Sequence, residues 1–215
     1  MTMSKLALII GGTVPQQQWE LLQHVMVYDS ATMSEAVTIA KNLVSQGQIE
    51  VIISTVGTAA EIRKKVDLPI VEANPTQFDI LESLCYAEKQ SGQTGGRIAL
   101  VLHHSRQIEL DKIQNYLKNE VVLFQYRDED DIPLLVDQVA AKKIPLLVGG
   151  PTAQYFSTLR GIQNYVLRFG REALRLAIGQ AQDLIAYGQK ERERSFQLSS
   201  ILRLFPDGVI LLDTR

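Results

Sequence analysis

Short apolar segments alternate with longer amphipathic segments along almost the whole chain, and this alternation limits the possible folds most strongly. Buried strands are predicted at 6–10, 25–28, 51–54, 69–73, 97–102, 121–126, 145–150 and 164–169. The segments between them have the polar and apolar spacing of helices. Strands that alternate with helices of this length favour parallel sheets with right-handed crossovers. The sequence therefore predicts an α/β fold.

The second half of the chain repeats the order of elements found in the first half. KLALIIGG (5–12) corresponds to RIALVLHH (97–104), and residues 27–59 correspond to 125–153. The stretch SGQTGG (91–96) separates the two halves. We predict a tandem duplication of two three-layer α/β/α lobes, with lobe 1 in residues 1–93 and lobe 2 in residues 94–170. One continuous sheet of eight strands is the alternative.

Residues 171–204 contain no proline and are predicted to form one long helix. Its first half carries an apolar stripe that we expect to pack on the lobes, formed by Leu174, Ile178, Ala181 and Ile185. After the charged segment QKERERS (189–195), apolar residues return at Phe196, Ile201, Leu202 and Phe205. An apolar strip on a projecting helix is normally covered by a partner, which predicts a homodimer.

Composition excludes several classes of protein. The chain has 215 residues and a net charge of −2, so it lacks the basic field that attracts nucleic acid or anionic membranes. Cys85 is the only cysteine, which excludes an internal disulfide and the two-cysteine mechanism of racemases. Its position in the middle of a predicted helix predicts that it is a core residue. No nucleotide-binding motif or metal-ligand spacing is present, so we expect no cofactor. The apolar run near the N-terminus is too short for the core of a signal peptide, and a cytoplasmic location is expected.

Ligands of open parallel sheets bind at the carboxyl ends of the strands, so the loops there are the candidate site. Two of these loops, Gly57-Thr58 and Gly150-Pro151-Thr152, each begin a helix. Helix N-termini offer free N–H groups and partial positive charge to an anion, although both threonines could instead be simple helix caps. The candidate ligand-binding residues are Gly12, Thr13, Thr55, Gly57, Thr58, Asn74, Phe78, His103, Ser105, Gly150, Thr152, Arg168 and Arg171. The two arginines are candidate charge partners, with a surface position as the alternative.

Several longer motifs resemble one protein family. The segments 54–84 (STVGTAAEIRKKVDLPIVEANPTQFDILESL), 126–156 and 169–178 resemble the N-terminal sensor domain of propionate catabolism activators. The tail ERERSFQLSSILRLFPDGVILLDTR resembles the helix and first strand of a PAS domain, so residues 205–215 are expected to be its truncated start. The resemblance implies two chelatase-like lobes with four-stranded parallel sheets of order 2-1-3-4 and an effector site between them.

The resemblance also implies a function. In the family the sensor precedes a PAS module, an AAA+ ATPase that contacts sigma-54 RNA polymerase, and a helix-turn-helix DNA-binding domain. Two positions differ from the family pattern: the loop STVGTA (54–59) lacks the arginine of the family's S-R-G-G-T-A, and Arg171 replaces an acid. We predict a non-enzymatic sensor that binds a small anionic metabolite, such as an organic acid or a similar anion. It would contact DNA and polymerase only through domains absent from this chain. The alternative is a two-lobed enzyme of the chelatase or racemase type.

Overall fold

The computed structural model describes residues 5–11, 20–92 and 95–203. Its strands are β1 (Leu6–Ile10), β2 (Met26–Asp29), β3 (Val51–Ser54), β4 (Ile70–Glu72), β5 (Arg97–His103), β6 (Glu120–Tyr126), β7 (Leu146–Gly149) and β8 (Gln163–Val166). Its helices are α1 (Met33–Ser45), α2 (Val56–Arg63), α3 (Gln77–Ser91), α4 (Leu110–Gln114), α5 (Asp131–Ala141), α6 (Pro151–Leu159) and α7 (Arg171–Arg203). None of the helices in these ranges is long and apolar enough to cross a membrane.

The strands form two separate four-stranded sheets, and every pair of neighbouring strands is parallel. The first sheet has the order β2-β1-β3-β4 and the second has the order β6-β5-β7-β8. Both therefore have the predicted order 2-1-3-4, which confirms the α/β fold with two repeated sheets. The central strands β1, β3 and β7 are buried along their whole length, because helices cover both faces of each sheet.

The helices on the two faces of each sheet come from different parts of the chain. On the first sheet, α1 and α2 cover one face, and α7 covers the other with Leu174, Ala177, Ile178 and Ala181. On the second sheet, α5 and α6 cover one face and α3 covers the other. Helix α3 thus lies within residues 1–93 but packs on the sheet formed by residues 94–170. The chain crosses between the two units at 73–76 and again at 167–170.

Three expectations from the sequence need comment. The segment between the strands predicted at 97–102 and 121–126 has the spacing of a helix, but α4 spans only Leu110–Gln114, since Ser105 bonds the His103 ring and the Gln114 side chain bonds the start of β6. The expectation that Cys85 is a core residue is wrong, because α3 buries Ile80, Leu84 and Ala87 and leaves Cys85 exposed. The expected PAS start at 205–215 lies outside the described residues.

The acidic segment at 127–131 joins the two units. The Glu129 carboxylate accepts hydrogen bonds from the Met33 backbone N–H (2.8 Å) and from the Ser34 hydroxyl (2.5 Å), at the N-terminus of α1. Asp128 pairs with Lys64 of the first unit at 2.6 Å. Because a helix N-terminus carries partial positive charge, the Glu129 contact is a charge-assisted cap supplied from the other unit.

Removal of this cap should weaken the contact between the units. We expect Glu129→Ala to lower the free energy of unfolding by about 0.5–2 kcal/mol, the usual effect of losing a helix cap. Asp130→Ala is the matched control, because the neighbouring Asp130 side chain makes no capping hydrogen bond. Urea denaturation of both variants measures the difference. Equal stabilities of the two variants would contradict this role of Glu129.

Candidate functional site

A cavity of about 60 Å³ lies where the two sheets face each other. Residues at or just after the carboxyl ends of all eight strands line it, among them Gly11 after β1, Ser30 after β2, Tyr126 of β6 and Leu167 after β8. Parallel sheets bind ligands at this edge, because helix N-termini and the loops before them converge there. The cavity is therefore the best candidate for a binding site in the described part of the chain.

The first turns of α2 and α6 line the cavity. Val56, Gly57 and Thr58 begin α2, while Pro151, Thr152 and Ala153 begin α6. Neither helix has a side-chain cap hydrogen bond at its N-terminus. The start of α1 also borders the cavity, but Thr32 and Glu129 cap it. The starts of α2 and α6 thus offer backbone N–H groups and partial positive charge to a bound anion.

The two predicted threonines both line this cavity, one from each unit. The hydroxyl of Thr55 donates to that of Thr58 at 3.0 Å, while Thr152 is only 3% exposed. Of the other predicted residues, Thr55, Gly57, His103 and Gly150 also line the cavity. The structure therefore brings six of the predicted residues together at one place.

Two glycines allow the units to approach closely. A Cβ atom on Gly11 would overlap the ring of Pro151, and one on Gly57 would lie 2.5 Å from the Tyr126 hydroxyl oxygen. Gly11 follows β1 and meets the first residue of α6, while Gly57 lies in the first turn of α2 and meets the last residue of β6. Around Gly150, in contrast, a Cβ would meet no atom of the described residues within 4 Å. Close packing between the units thus depends on Gly11 and Gly57, and Gly150 faces open space.

His103 and Tyr126 form a buried polar wall. Burial lowers the pKa of His103 below its ordinary value, with the neighbouring His104 acting in the same direction, so its ring is mainly neutral at pH 7. The Ser105 hydroxyl lies 2.8 Å from His103 Nδ1 and fixes the ring. Burial raises the pKa of Tyr126, which keeps its hydroxyl protonated. These side chains offer neutral hydrogen-bonding groups to a ligand.

Other predicted residues lie elsewhere. Asn74 lines a separate groove between β4 and α7, and Phe78 is 71% exposed on α3. Arg168 lies over the Tyr86 ring, 4.6 Å from its centroid, and Arg171 is exposed, 3.8 Å from Glu20. Neither arginine lines the cavity. Gly12 and Thr13 lie outside the described residues.

Arg106 was not predicted, yet it lines the cavity from the turn after β5. Its Nη2 donates to the backbone oxygen of Pro75 in the crossing at 73–76, and its Nε is buried without a hydrogen-bond partner among the described residues. Its position soon after the predicted strand 97–102 was the available sequence signal. The described residues contain no group of His, Cys, Asp and Glu side chains that could hold a metal ion.

Comparisons with known proteins agree with the fold. A family model described as propionate catabolism activator matches residues 22–191. An NtrC family transcriptional regulator from Clostridium acetobutylicum has a similar structure, with a TM-score of 0.72, 25% identity, and coverage of 87% of this chain and 99% of that chain. No curated protein matches the sequence.

Two more distant solved structures share less. An aspartate racemase homologue from Pyrococcus horikoshii has a TM-score of 0.31 at 13% identity, covering 86% of this chain and 100% of that chain. A transcription regulator of Lactococcus lactis has a TM-score of 0.40 at 9% identity, covering 86% and 92%. Their TM-scores are too low to support an inference about function. The family match spans most of the sequence, and the chain belongs to the propionate catabolism activator family.

Proposed function

We propose that the chain is the effector-binding sensor domain of a cytoplasmic, bacterial sigma-54-dependent transcriptional activator. The observation that carries the proposal is the cavity between the two sheets, bordered by the uncapped N-termini of α2 and α6. The effector would be a small anionic metabolite, because these helix starts favour negative charge. Membership of the propionate catabolism activator family supports a regulatory role.

The two chain crossings give a route for the signal. Residues 73–76 lead from β4 to α3, and residues 167–170 lead from β8 to α7. Both crossings contact α3. In the first crossing, the Thr76 N–H donates to the Asp79 carboxylate at 2.7 Å. In the second, the Arg168 N–H bonds the Ser83 hydroxyl at 3.3 Å, and the Asp79 carboxylate fills the space where a Cβ of Gly170 would lie. In the proposal, closure of the two units around effector bends both crossings and reorients α7. Hinge closure of this kind passes small movements at a site to a distant output.

A dimer formed through α7 is part of the proposal. Leu198 and Leu202 lie one turn apart on this helix and are 57% and 46% exposed. Phe196 is 74% exposed on another side of the helix. A second copy of α7, related by two-fold symmetry, would cover Leu198 and Leu202. DNA and sigma-54 RNA polymerase would be contacted only by further domains of the full-length protein, where the AAA+ ATPase is also expected.

The alternative of a chelatase or racemase-type enzyme has less support. Cys85 is exposed on α3 and does not line the cavity. The two-cysteine acid–base mechanism therefore has no counterpart among the described residues. Turnover of an amino acid or of a metallated tetrapyrrole by the purified protein would favour the enzyme over the sensor.

A thermal-shift screen of carboxylic and phosphorylated metabolites tests effector binding. A compound that binds only the folded protein raises its melting temperature. Thr58→Val and Thr152→Val should then weaken binding of the best compound by about 1–3 kcal/mol, if each hydroxyl donates to a charged group. Thr158→Val is the control, because Thr158 lies at the exposed end of α6 and bonds only within that region. Unchanged affinity in both cavity variants would remove the threonines from the site.

Light scattering tests the dimer. Leu198→Glu combined with Leu202→Glu should convert a dimer into a monomer, because two charges would be buried against the partner helix without counter-ions. Gln197→Glu combined with Ser199→Glu adds the same charge to the same segment and should leave the dimer intact. A chain ending at Lys190 should also be monomeric. The same oligomeric state for the unchanged chain and all three variants would exclude dimerisation through this part of α7.

A further inference from the structure

Helix α7 carries a second apolar stripe besides the one that packs on the first sheet. At 3.6 residues per turn, its members fall within a sector of about 80° on the helix surface. All of them are exposed, and they are Leu176, Leu184, Tyr187, Leu198 and Leu202. This second stripe runs without a change of side from the part of α7 that packs on the sheet to the end of the helix.

The first half of the second stripe borders a groove between α7 and β4. The groove has a volume of about 880 Å³. Leu176, Leu184 and Tyr187 lie along its α7 side, and Ile70 and Glu72 of β4 lie along the other. Strand β4 is at the edge of its sheet. An open apolar groove beside an edge strand is a surface that proteins normally cover with another chain or segment.

The second half of the stripe lies on the part of α7 that leaves the first unit. Arg192 pairs with Glu50 at 2.8 Å, and residues 193–200 and Leu202 are exposed. Because α7 is one continuous helix, its end points away from the groove of its own chain. Each chain thus has an apolar groove and an apolar helix end that cannot meet within one molecule. Two copies of the chain can bring them together.

A pair of opposite charges interrupts the second stripe at its middle. Glu191 and Arg194 lie between Tyr187 and Leu198, and the Glu191 Oε1 is 4.0 Å from the Arg194 Nη1. The spacing of these four residues is that of a helix–helix seam. If two such helices run antiparallel, each Glu191 faces the partner's Arg194, and each Tyr187 faces the partner's Leu198.

A parallel pair would have the opposite electrostatics. Equivalent seam positions of two parallel helices face each other, so Glu191 would lie against a second Glu191 and Arg194 against a second Arg194. Like charges at this distance repel, whereas the antiparallel pair forms two salt bridges. The charged residues of the second stripe therefore favour the antiparallel orientation.

We propose, building on the dimer in the proposed function, that two chains pair through the second stripe with their α7 helices antiparallel. The occupant of the groove between α7 and β4 is then the end of α7 from a second copy. The partner's Leu198 packs on Tyr187, and the partner's Leu202 packs beside Leu184. Two-fold symmetry repeats both contacts, so both grooves and both helix ends are covered together.

The groove is next to one of the two chain crossings. Asn74 and Thr76 line the groove, while Pro75 between them lines the cavity. A movement of the crossing at 73–76 would thus change the surface on which the partner helix docks. The proposed dimer contact is in this way joined to the effector site by a single short segment.

Disulfide cross-linking distinguishes the two orientations. We start from Cys85→Ser, because Cys85 is the only cysteine and is exposed. Tyr187→Cys and Leu198→Cys are then made separately in that background. In the antiparallel pair each new cysteine lies about 16 Å along the helix from its own copy, too far for a disulfide. We expect no covalent dimer from either variant alone and a covalent dimer from an equimolar mixture of the two. Cross-linking of each variant with itself would overturn the antiparallel pairing.

Glu191→Gln tests the charged layer by the direction of its effect. In the antiparallel pair it removes the partner of both Arg194 side chains, so the dissociation constant of the dimer should rise roughly threefold to tenfold. In a parallel pair it would remove a repulsion and tighten the dimer. Glu193→Gln is the control, because it changes the net charge equally on another side of α7. Sedimentation velocity measures all three proteins, and a tighter dimer for Glu191→Gln would contradict the proposal.

The outcomes separate this inference from the proposed function. If the chain is a dimer and each cysteine variant cross-links with itself, the α7 dimer stands and the antiparallel orientation fails. If the unchanged chain is a monomer, both the dimer and this inference fail, while the thermal-shift screen still decides the sensor function. If it is a dimer but neither the single variants nor their mixture cross-link, the second stripe is not the interface. Cross-linking in the mixture alone supports the antiparallel pair.

Discussion

Both faces of each parallel sheet must be covered by helices, and this requirement shapes the whole molecule. The strands β1 and β3 are apolar on both sides, so the first sheet needs a second layer that its own segment does not supply. Helix α7 provides that layer with small residues, Ala177 and Ala181, which let it lie close to the sheet. Helix α3 does the same for the second sheet. The two crossings that result bring the carboxyl edges of both sheets together around one cavity.

The features that depend on local pattern could be predicted from the sequence. Runs such as Leu6–Ile10 are uniformly apolar, which identifies buried strands, and the duplication together with the family resemblance predicts the order of each sheet. Thr58 and Thr152 line one cavity because each follows a central strand of its sheet. The packing of α3 on the second sheet rather than on the first was not predicted. Its apolar residues Ile80 and Leu84 would fit either sheet, and no local signal states which one they cover.

The charged residues around the cavity were the least predictable, because their partners are distant in the sequence. Glu129 lies in a run of acids that reads as an ordinary helix start, yet its carboxylate caps a helix whose first residue is 96 positions earlier. Arg168 was a reasonable candidate from its place after β8, but it packs on Tyr86 of α3. Arg106 has the matching place after β5 and reaches the cavity. The direction of each side chain depends on tertiary packing rather than on loop position.

Helix α3 covers the second sheet and helix α7 covers the first. This arrangement determines the order in which the two units can finish folding while the chain is synthesised on the ribosome. All four strands of the first sheet are synthesised by Glu72, but the face that α7 covers stays open until the second sheet has been made. The second unit has all its helices by Val166 and can close earlier. The first part to be translated is thus the last to be finished. Contacts that join such distant segments slow folding and leave apolar surface exposed in the meantime, which is the kind of surface that chaperones bind.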